Sequence, residues 1–207
     1  MSSKLRLRKV FKPLVIFLAK FLSKMGVSPN LATSLMLFFA FLSNITLTVF
    51  NNFLLCAIFI FITGIFDGID GAIARLRNKE SLLGGFLDSF MDRVSEFIIF
   101  FGFLMRFNSN QLWIIIDMRI VIIISFLSSI MISYTRARGE SLVKGDFDIG
   151  LMARSERLFF LFLSFLLASF FGFINEFLFI FMLLVLFTVF YRCFKIHKLI
   201  YLTEKNT

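Results

Sequence analysis

Long apolar stretches, broken at short intervals by turn-forming or charged residues, dominate the chain. Predominantly apolar segments run over about 33–50, 53–75, 84–105, 118–138, 151–172 and 177–197. Each approaches the ~20 residues that a helix needs to cross the hydrocarbon core of a bilayer. Between them lie Asn51-Asn52, a basic turn before Gly84, a longer segment over 106–117, a Gly- and charge-rich loop over 139–150, and Asn175-Glu176. Residues 1–30 differ. Lys4, Arg6, Arg8, Lys9 and Lys12 come first, and Val10, Phe11, Leu14, Phe17, Leu18, Phe21, Leu22 and Met25 recur at helical spacing, interrupted by Lys20 and Lys24. Such a segment is too charged to span and predicts an amphipathic helix lying in the interface. A cleaved signal peptide is the competing reading, but the apolar run ends at Lys20 without a small-residue cleavage site. The expected fold is an all-α integral membrane protein with six transmembrane helices and an N-terminal amphipathic juxtamembrane helix. Residues 1–30 would form the interfacial helix and turn, and 31–207 the membrane domain, without internal repeat or linker.

Composition agrees: 59% of the 207 residues are hydrophobic, 33 are Phe, and mean hydropathy is +0.91. The net charge of +9 does not indicate nucleic acid, because the basic residues punctuate apolar segments instead of forming one soluble patch. Only Arg106 and Arg119 fall at one face in a six-span arrangement; the other 20 of 22 Lys and Arg fall at the opposite face. The positive-inside rule then puts both termini on the cytoplasmic side of a multi-pass cell-membrane protein. The excess suits anionic lipid headgroups and phosphate-bearing substrates. Cys56 and Cys193 should lie near opposite membrane faces, which argues against a disulfide and for packing roles.

The chemistry concentrates in DGIDGAIARLRNKESLLGGFLDSFMD, residues 67–92. Asp67 and Asp70 are three apart and Asp88 and Asp92 four apart, spacings that put each pair on one helix face. Two helices joined by a turn carrying Arg75, Arg77 and Lys79 would gather four carboxylates at one end of the bundle. These repel one another unless cations intervene, which points to a divalent-metal site, with two ions, built from hard oxygen ligands. An ion-pair network with Arg75 and Arg93 is the alternative, yet four acids exceed what two arginines neutralise. Gly64, Gly68 and Gly71 lie within about a sixth of the helix circumference beside the first pair, allowing close approach of a backbone or a flat ligand. For Gly64, tight helix packing is an equal alternative.

These residues carry a resemblance. Asp67, Asp70, Gly71, Ala74, Arg75, Gly84, Asp88 and Asp92 match D-x2-D-G-x2-A-R-x8-G-x3-D-x3-D at every fixed position. The chain thereby resembles the CDP-alcohol phosphotransferase family. The resemblance implies that Asp67 and Asp88 are ligands shared by both ions, that Asp70 completes one site and Asp92 the other, and that the ions are Mg2+, with Mn2+ a possible substitute. It implies displacement at the β-phosphorus of a CDP-linked lipid, with CMP leaving and Arg75 stabilising its charge, and Asp92 as general base. It also implies that Asn30, Leu31, Ala32, Thr33, Gly71, Arg75 and Ser81 hold the CDP-lipid, and that the protein is a homodimer. Asn30 as a turn residue and Ser81 as a helix cap are the plainer readings.

Arg136, Arg138, Lys144, Arg154 and Arg157 would lie near the same face, with Arg192 and Lys195 at the end of the last helix. Arginines beside a metal site suit an acceptor carrying its own phosphate. Arg136, Arg154 and Arg192, nearest the helix ends, are the candidates for that phosphate; ordinary inner-face charge is the better account of Arg138, Lys144 and Lys195. Glu156-Arg157 is expected to be a structural pair, and His197 has no metal-ligand partner at useful spacing. The pattern SYxxAR…GLMARSER is similar to the inositol-phosphate-accepting branch of the family, the phosphatidylinositol-phosphate and archaetidylinositol-phosphate synthases. Arg136 departs from the lysine of bacterial members. The resemblance thus implies CDP-diacylglycerol or CDP-archaeol as donor and inositol phosphate as acceptor, with membrane lipids as surroundings. Glycerol 3-phosphate as acceptor, a cation-coupled transporter and a scaffold without chemistry are the competing readings.

Overall fold

The computed structural model describes residues 7–143, 145, 147 and 149–205. Lys4, Arg6 and Lys144, placed above among the inner-face charges, lie outside the described residues. Seven helices occupy the described residues: α1 (Leu7–Lys24), α2 (Pro29–Thr48), α3 (Phe53–Leu76), α4 (Leu82–Arg106), α5 (Met118–Leu142), α6 (Arg154–Phe171) and α7 (Ile174–Lys205). Their starts are written locally. Ser28 accepts from the Leu31 amide with Pro29 in the first turn, and Asn52 accepts from Leu55, Ser81 from Gly84 and Asp117 from Arg119. Each cap satisfies an amide that the first turn would otherwise leave unpaired.

α2 packs on both α3 and α4, α3 on α6, and α5 on α7, while α1 lies across α3 and α6. The core is largely aromatic. Phe165 stacks on Phe103 at 4.8 Å between ring centroids and meets Phe53 edge-on at 5.8 Å. Fully buried Leu47, Ile60, Phe181 and Val185 complete it. Outward-facing Phe38, Phe41, Ile120, Phe187 and Phe190 are all more than half exposed. Apolar side chains turned outward along long helices are what a lipid surround solvates. Four helices, α2, α3, α5 and α7, are long and apolar enough to cross a membrane. α4 and α6 fall on the other two apolar segments, α4 longer and α6 shorter than expected, and they carry the charges: Asp88, Asp92, Arg93, Glu96 and Arg106 on the first, Arg154, Glu156 and Arg157 on the second.

Several expectations change in detail. The segment over 106–117 contains a two-residue antiparallel ladder, β1 (Gln111–Leu112) with β2 (Ile116–Asp117), whose turn places Trp113 and Ile114 in the left-handed region. α5 continues to Leu142, past the expected end at 138. There Gly139 lets Phe147 close in, since a Cβ at 139 would lie 2.8 Å from the ring. Cys56 is buried as expected, but Cys193 is exposed, so only the first is a packing residue; neither forms a disulfide.

Glu156 and Arg157 are not partners. Glu156 accepts from the Ser155 hydroxyl at 2.9 Å. Arg157 forks onto Glu96 of α4, Nε to Oε1 at 2.8 Å and Nη2 to Oε2 at 3.0 Å, and Nη1 donates to the Met152 carbonyl. Both residues are fully buried, so a long-range bidentate pair between α4 and α6 replaces the local one. Arg157→Met strands the Glu96 carboxylate and is expected to lower stability by about 3–5 kcal/mol. The double replacement of Glu96 and Arg157 by Met should recover much of that loss. Equilibrium unfolding in mixed micelles checks both.

Candidate active site

The last three turns of α3 carry Asp67 and Asp70, and the first three turns of α4 carry Asp88 and Asp92. Residues 77–81 reverse the chain between them, with Asn78 in the left-handed region and Ser81 capping α4. The two pairs therefore meet, as the spacing predicted. The Asp70 carboxyl neighbours that of Asp88, and Asp67 neighbours Asp92. Asp70 is the most enclosed at 3% exposure; its Oδ2 accepts from Thr33 Oγ1 at 2.9 Å, and its Oδ1 from the Gly71 amide at 2.6 Å.

Arg154, at the start of α6, enters the cluster. Its Nε is 3.0 Å from Asp67 Oδ1, and its Nη1 is 2.8 Å from Asp92 Oδ1. Nη2 donates to Ser95 Oγ at 2.8 Å. Arg93, about a third exposed, is 3.7 Å from Asp92 Oδ2 and donates to the Ser89 carbonyl. Two arginines thus face four carboxyl groups. Asp88 Oδ1 is buried without a hydrogen-bond donor. A buried, unpaired carboxylate oxygen inside an acid cluster is what a divalent cation would ligate, so the donor set fits hard cations. Among the described residues no three acids already converge at ligand spacing on one point, and the Arg154 guanidinium stands between Asp67 and Asp92.

One cavity of about 880 Å³ joins these groups. Asp67, Asp88, Asp92 and Arg75 line it together with Arg136, Arg154 and Arg192, while Asp70 lies outside the lining. Arg136 pairs with Glu140 at 2.8 Å. Arg192 is fully buried and donates to the Ile149 carbonyl through Nε (2.9 Å) and Nη2 (2.5 Å), and to the Ile132 carbonyl through Nη1 (2.7 Å). The expected nucleotide residues divide. Thr33 and Gly71 touch Asp70, and a Cβ at Gly71 would meet Arg75 Nη1 at 3.4 Å. Asn30 and Leu31 are exposed at the start of α2, Ala32 is buried, and exposed Ser81 serves as a cap; none of these lines the cavity. A Cβ at Gly64 would meet Leu158 of α6 at an ordinary 3.6 Å, so Gly64 is a packing position, whereas a Cβ at Gly68 would crowd Val15 of α1 at 3.2 Å.

Sequence reasoning passed over Ser95, Glu96, Ser133, Glu140 and the α1 residues Lys9 and Lys12. Ser95 binds Arg154, and the others line the cavity or hold Arg157. For Glu96 the signal was present: Asp88, Asp92 and Glu96 form an acidic ladder at four-residue spacing on one face of α4.

A membrane bundle whose helix ends gather four acids and several arginines around one cavity defines a class, and sequence comparison agrees. The model of the CDP-alcohol phosphatidyltransferase family matches residues 26–193, and the chain belongs to that family; it is an enzyme of the CDP-alcohol phosphotransferase type. Among its relatives is an archaetidylinositol phosphate synthase of Pyrococcus horikoshii, 33% identical over 168 residues that cover 79% of this chain and 81% of the relative. A phosphatidylinositol phosphate synthase of Streptomyces avermitilis is 32% identical over 154 residues, covering 73% and 61%. The crystal structure of Mycobacterium tuberculosis phosphatidylinositol phosphate synthase with CDP-DAG bound superposes with a TM-score of 0.73 at 25% identity, covering 89% of this chain and 94% of that one. The same enzyme in complex with manganese and citrate gives 0.74, covering 88% of each.

Thr33→Val removes the hydroxyl that supports the Asp70 carboxylate while keeping the shape of the side chain. Loss of a hydrogen bond to a charged group is expected to destabilise by about 1.5–3 kcal/mol. Equilibrium unfolding in mixed micelles measures it.

Proposed function

We propose that this chain transfers a phosphatidyl or archaetidyl group from a CDP-linked lipid to a hydroxyl of inositol phosphate, releasing CMP. The observation that carries the reading is the single cavity lined by Asp67, Asp88, Asp92 and Arg75 together with Arg136, Arg154 and Arg192. A site for an activated phosphate thus adjoins a site for a second phosphate. Similarity to synthases of archaetidylinositol and phosphatidylinositol phosphates supports inositol phosphate over glycerol 3-phosphate.

Asp67, Asp70, Asp88 and Asp92 would hold two Mg2+ ions, with Asp67 and Asp88 shared; bound there, the ions neutralise pyrophosphate charge. Thr33 keeps Asp70 oriented through its hydroxyl. Gly71 keeps the approach to Arg75 open, and Arg75 offers a guanidinium to the departing CMP. Asn30, Leu31, Ala32 and Ser81 complete the CDP-lipid site at the start of α2 and the cap of α4. Arg136, Arg154 and Arg192 bind the phosphate of the acceptor and so bring its hydroxyl to the β-phosphorus. Asp92 accepts the hydroxyl proton as the new P–O bond forms and the bond to CMP breaks, and it passes the proton to the aqueous side.

In this reading α2 to α7 are six spans, including the charge-bearing α4 and α6, whose acids and arginines gather at the cytoplasmic rim with both termini. Residues 1–30 form an interfacial segment and 31–207 one membrane domain, and the protein works as a homodimer. The test is CMP release by the purified enzyme from CDP-diacylglycerol with each acceptor. Inositol phosphate should support turnover, EDTA should abolish it, and Asp92→Asn should lower kcat by about 10²–10⁴-fold. Turnover with glycerol 3-phosphate and none with inositol phosphate would overturn the acceptor, and undiminished turnover of Asp92→Asn the base.

A further inference from the structure

Arg154 stands at the centre of the acid cluster. It reaches one carboxylate from each helix, Asp67 of α3 and Asp92 of α4, at 3.0 and 2.8 Å, and its third nitrogen binds Ser95 and touches Met36 Sδ at 3.7 Å. Its side chain is only 15% exposed. Neither contact is aligned as a hydrogen bond, so the bridge is a pair of close charge contacts in a poorly solvated site. Yet the oxygens it faces are the hard donors that a divalent cation requires, and two positive centres a few ångströms apart in a poorly solvated site repel strongly. Guanidinium and cation therefore exclude one another from Asp67 and Asp92.

The neighbouring structure lets one side chain move alone. Three residues on, Arg157 is locked to Glu96 and the Met152 carbonyl, which fixes the start of α6 on α4. Arg154 can thus leave the acids by side-chain rotation, without displacement of the helix. The cavity it would turn into is also lined by Arg136 and Arg192, so an anion held there provides its alternative partner. We propose that Arg154 is an internal counterion that competes with the divalent cations for Asp67 and Asp92, and that cation binding hands its guanidinium to the phosphate of the acceptor. The inference rests on the metal and acceptor assignments of the proposed function. By linkage, cation and acceptor each raise the affinity for the other.

The test is Mn2+ binding to the full-length protein in detergent micelles, read from the loss of the free-ion EPR signal. Wild type is compared with Arg154→Gln, Arg154→Lys, Arg136→Gln and Asp88→Asn, each checked for monodispersity. Arg154→Gln is expected to bind Mn2+ tighter, on the order of tenfold. Arg154→Lys should fall between it and wild type. Arg136→Gln removes an equal charge from the same cavity without a contact to Asp67 or Asp92, and should change affinity less. Equal tightening by Arg154→Gln and Arg136→Gln, or none by either Arg154 variant, overturns the competition. Absence of saturable binding by wild type, or unchanged binding by Asp88→Asn, overturns the metal assignment itself. The hand-over is read by calorimetric titration of inositol phosphate: saturating Mn2+ should raise wild-type affinity more than that of Arg154→Gln. An equal rise in both overturns it.

Discussion

Mutual repulsion among four carboxylates at the meeting of α3 and α4 is the constraint on which the rest of this structure depends. Acids so close in a partly dehydrated rim are unstable without positive charge among them. The bundle meets that need from a distant part of the chain, by placing the start of α6 against α4. Arg154 then bridges Asp67 and Asp92, while Arg157 pairs with Glu96 one turn beyond Asp92. The apolar packing of α3 on α6, with Gly64 against Leu158, sets the distance at which the guanidinium reaches both helices.

The same charges govern how the helices relate to the membrane. α2, α3, α5 and α7 are apolar enough to span on composition alone. α4 and α6 carry the acids and arginines, and the Glu96–Arg157 fork is how such helices tolerate burial, since each charge finds its partner within the protein. The charged site and the placement of α4 and α6 are thus one problem with one solution. Their polar ends face one another, while the Phe-rich remainder packs or turns outward.

α1 and the loop before α6 complete the cavity. Phe11 sits between Phe61 and Phe159, at 5.9 and 5.7 Å, and Val15 rests on Gly68, so the amphipathic helix is docked on α3 beside Asp67. Its Lys9 and Lys12 therefore join the cavity lining. Arg192 on α7 holds the Ile149 and Ile132 carbonyls, tying the loop before α6 to the middle of α5. The basic side chains of Lys9, Lys12, Arg136, Arg154 and Arg192 thus reach one cavity from α1, α5, α6 and α7.

The sequence alone determined the helices, their order, and the meeting of the two aspartate pairs. All of these follow from local rules: apolar run length, turn-forming residues at 26–30 and 51–52, a cap at 81, and spacings of three and four on helices joined by a short turn. It also determined the family, because the signature lies within one contiguous stretch. Only the tertiary structure decided which cation answers which acid. Glu156 beside Arg157 suggested a local pair, but a fully buried guanidinium forks where two oxygens face it, and Glu96, far away in sequence, offers them. Arg154, one of several basic residues in its segment, gained its place between Asp67 and Asp92 from the docking of α6 on α3, a contact that no local pattern encodes.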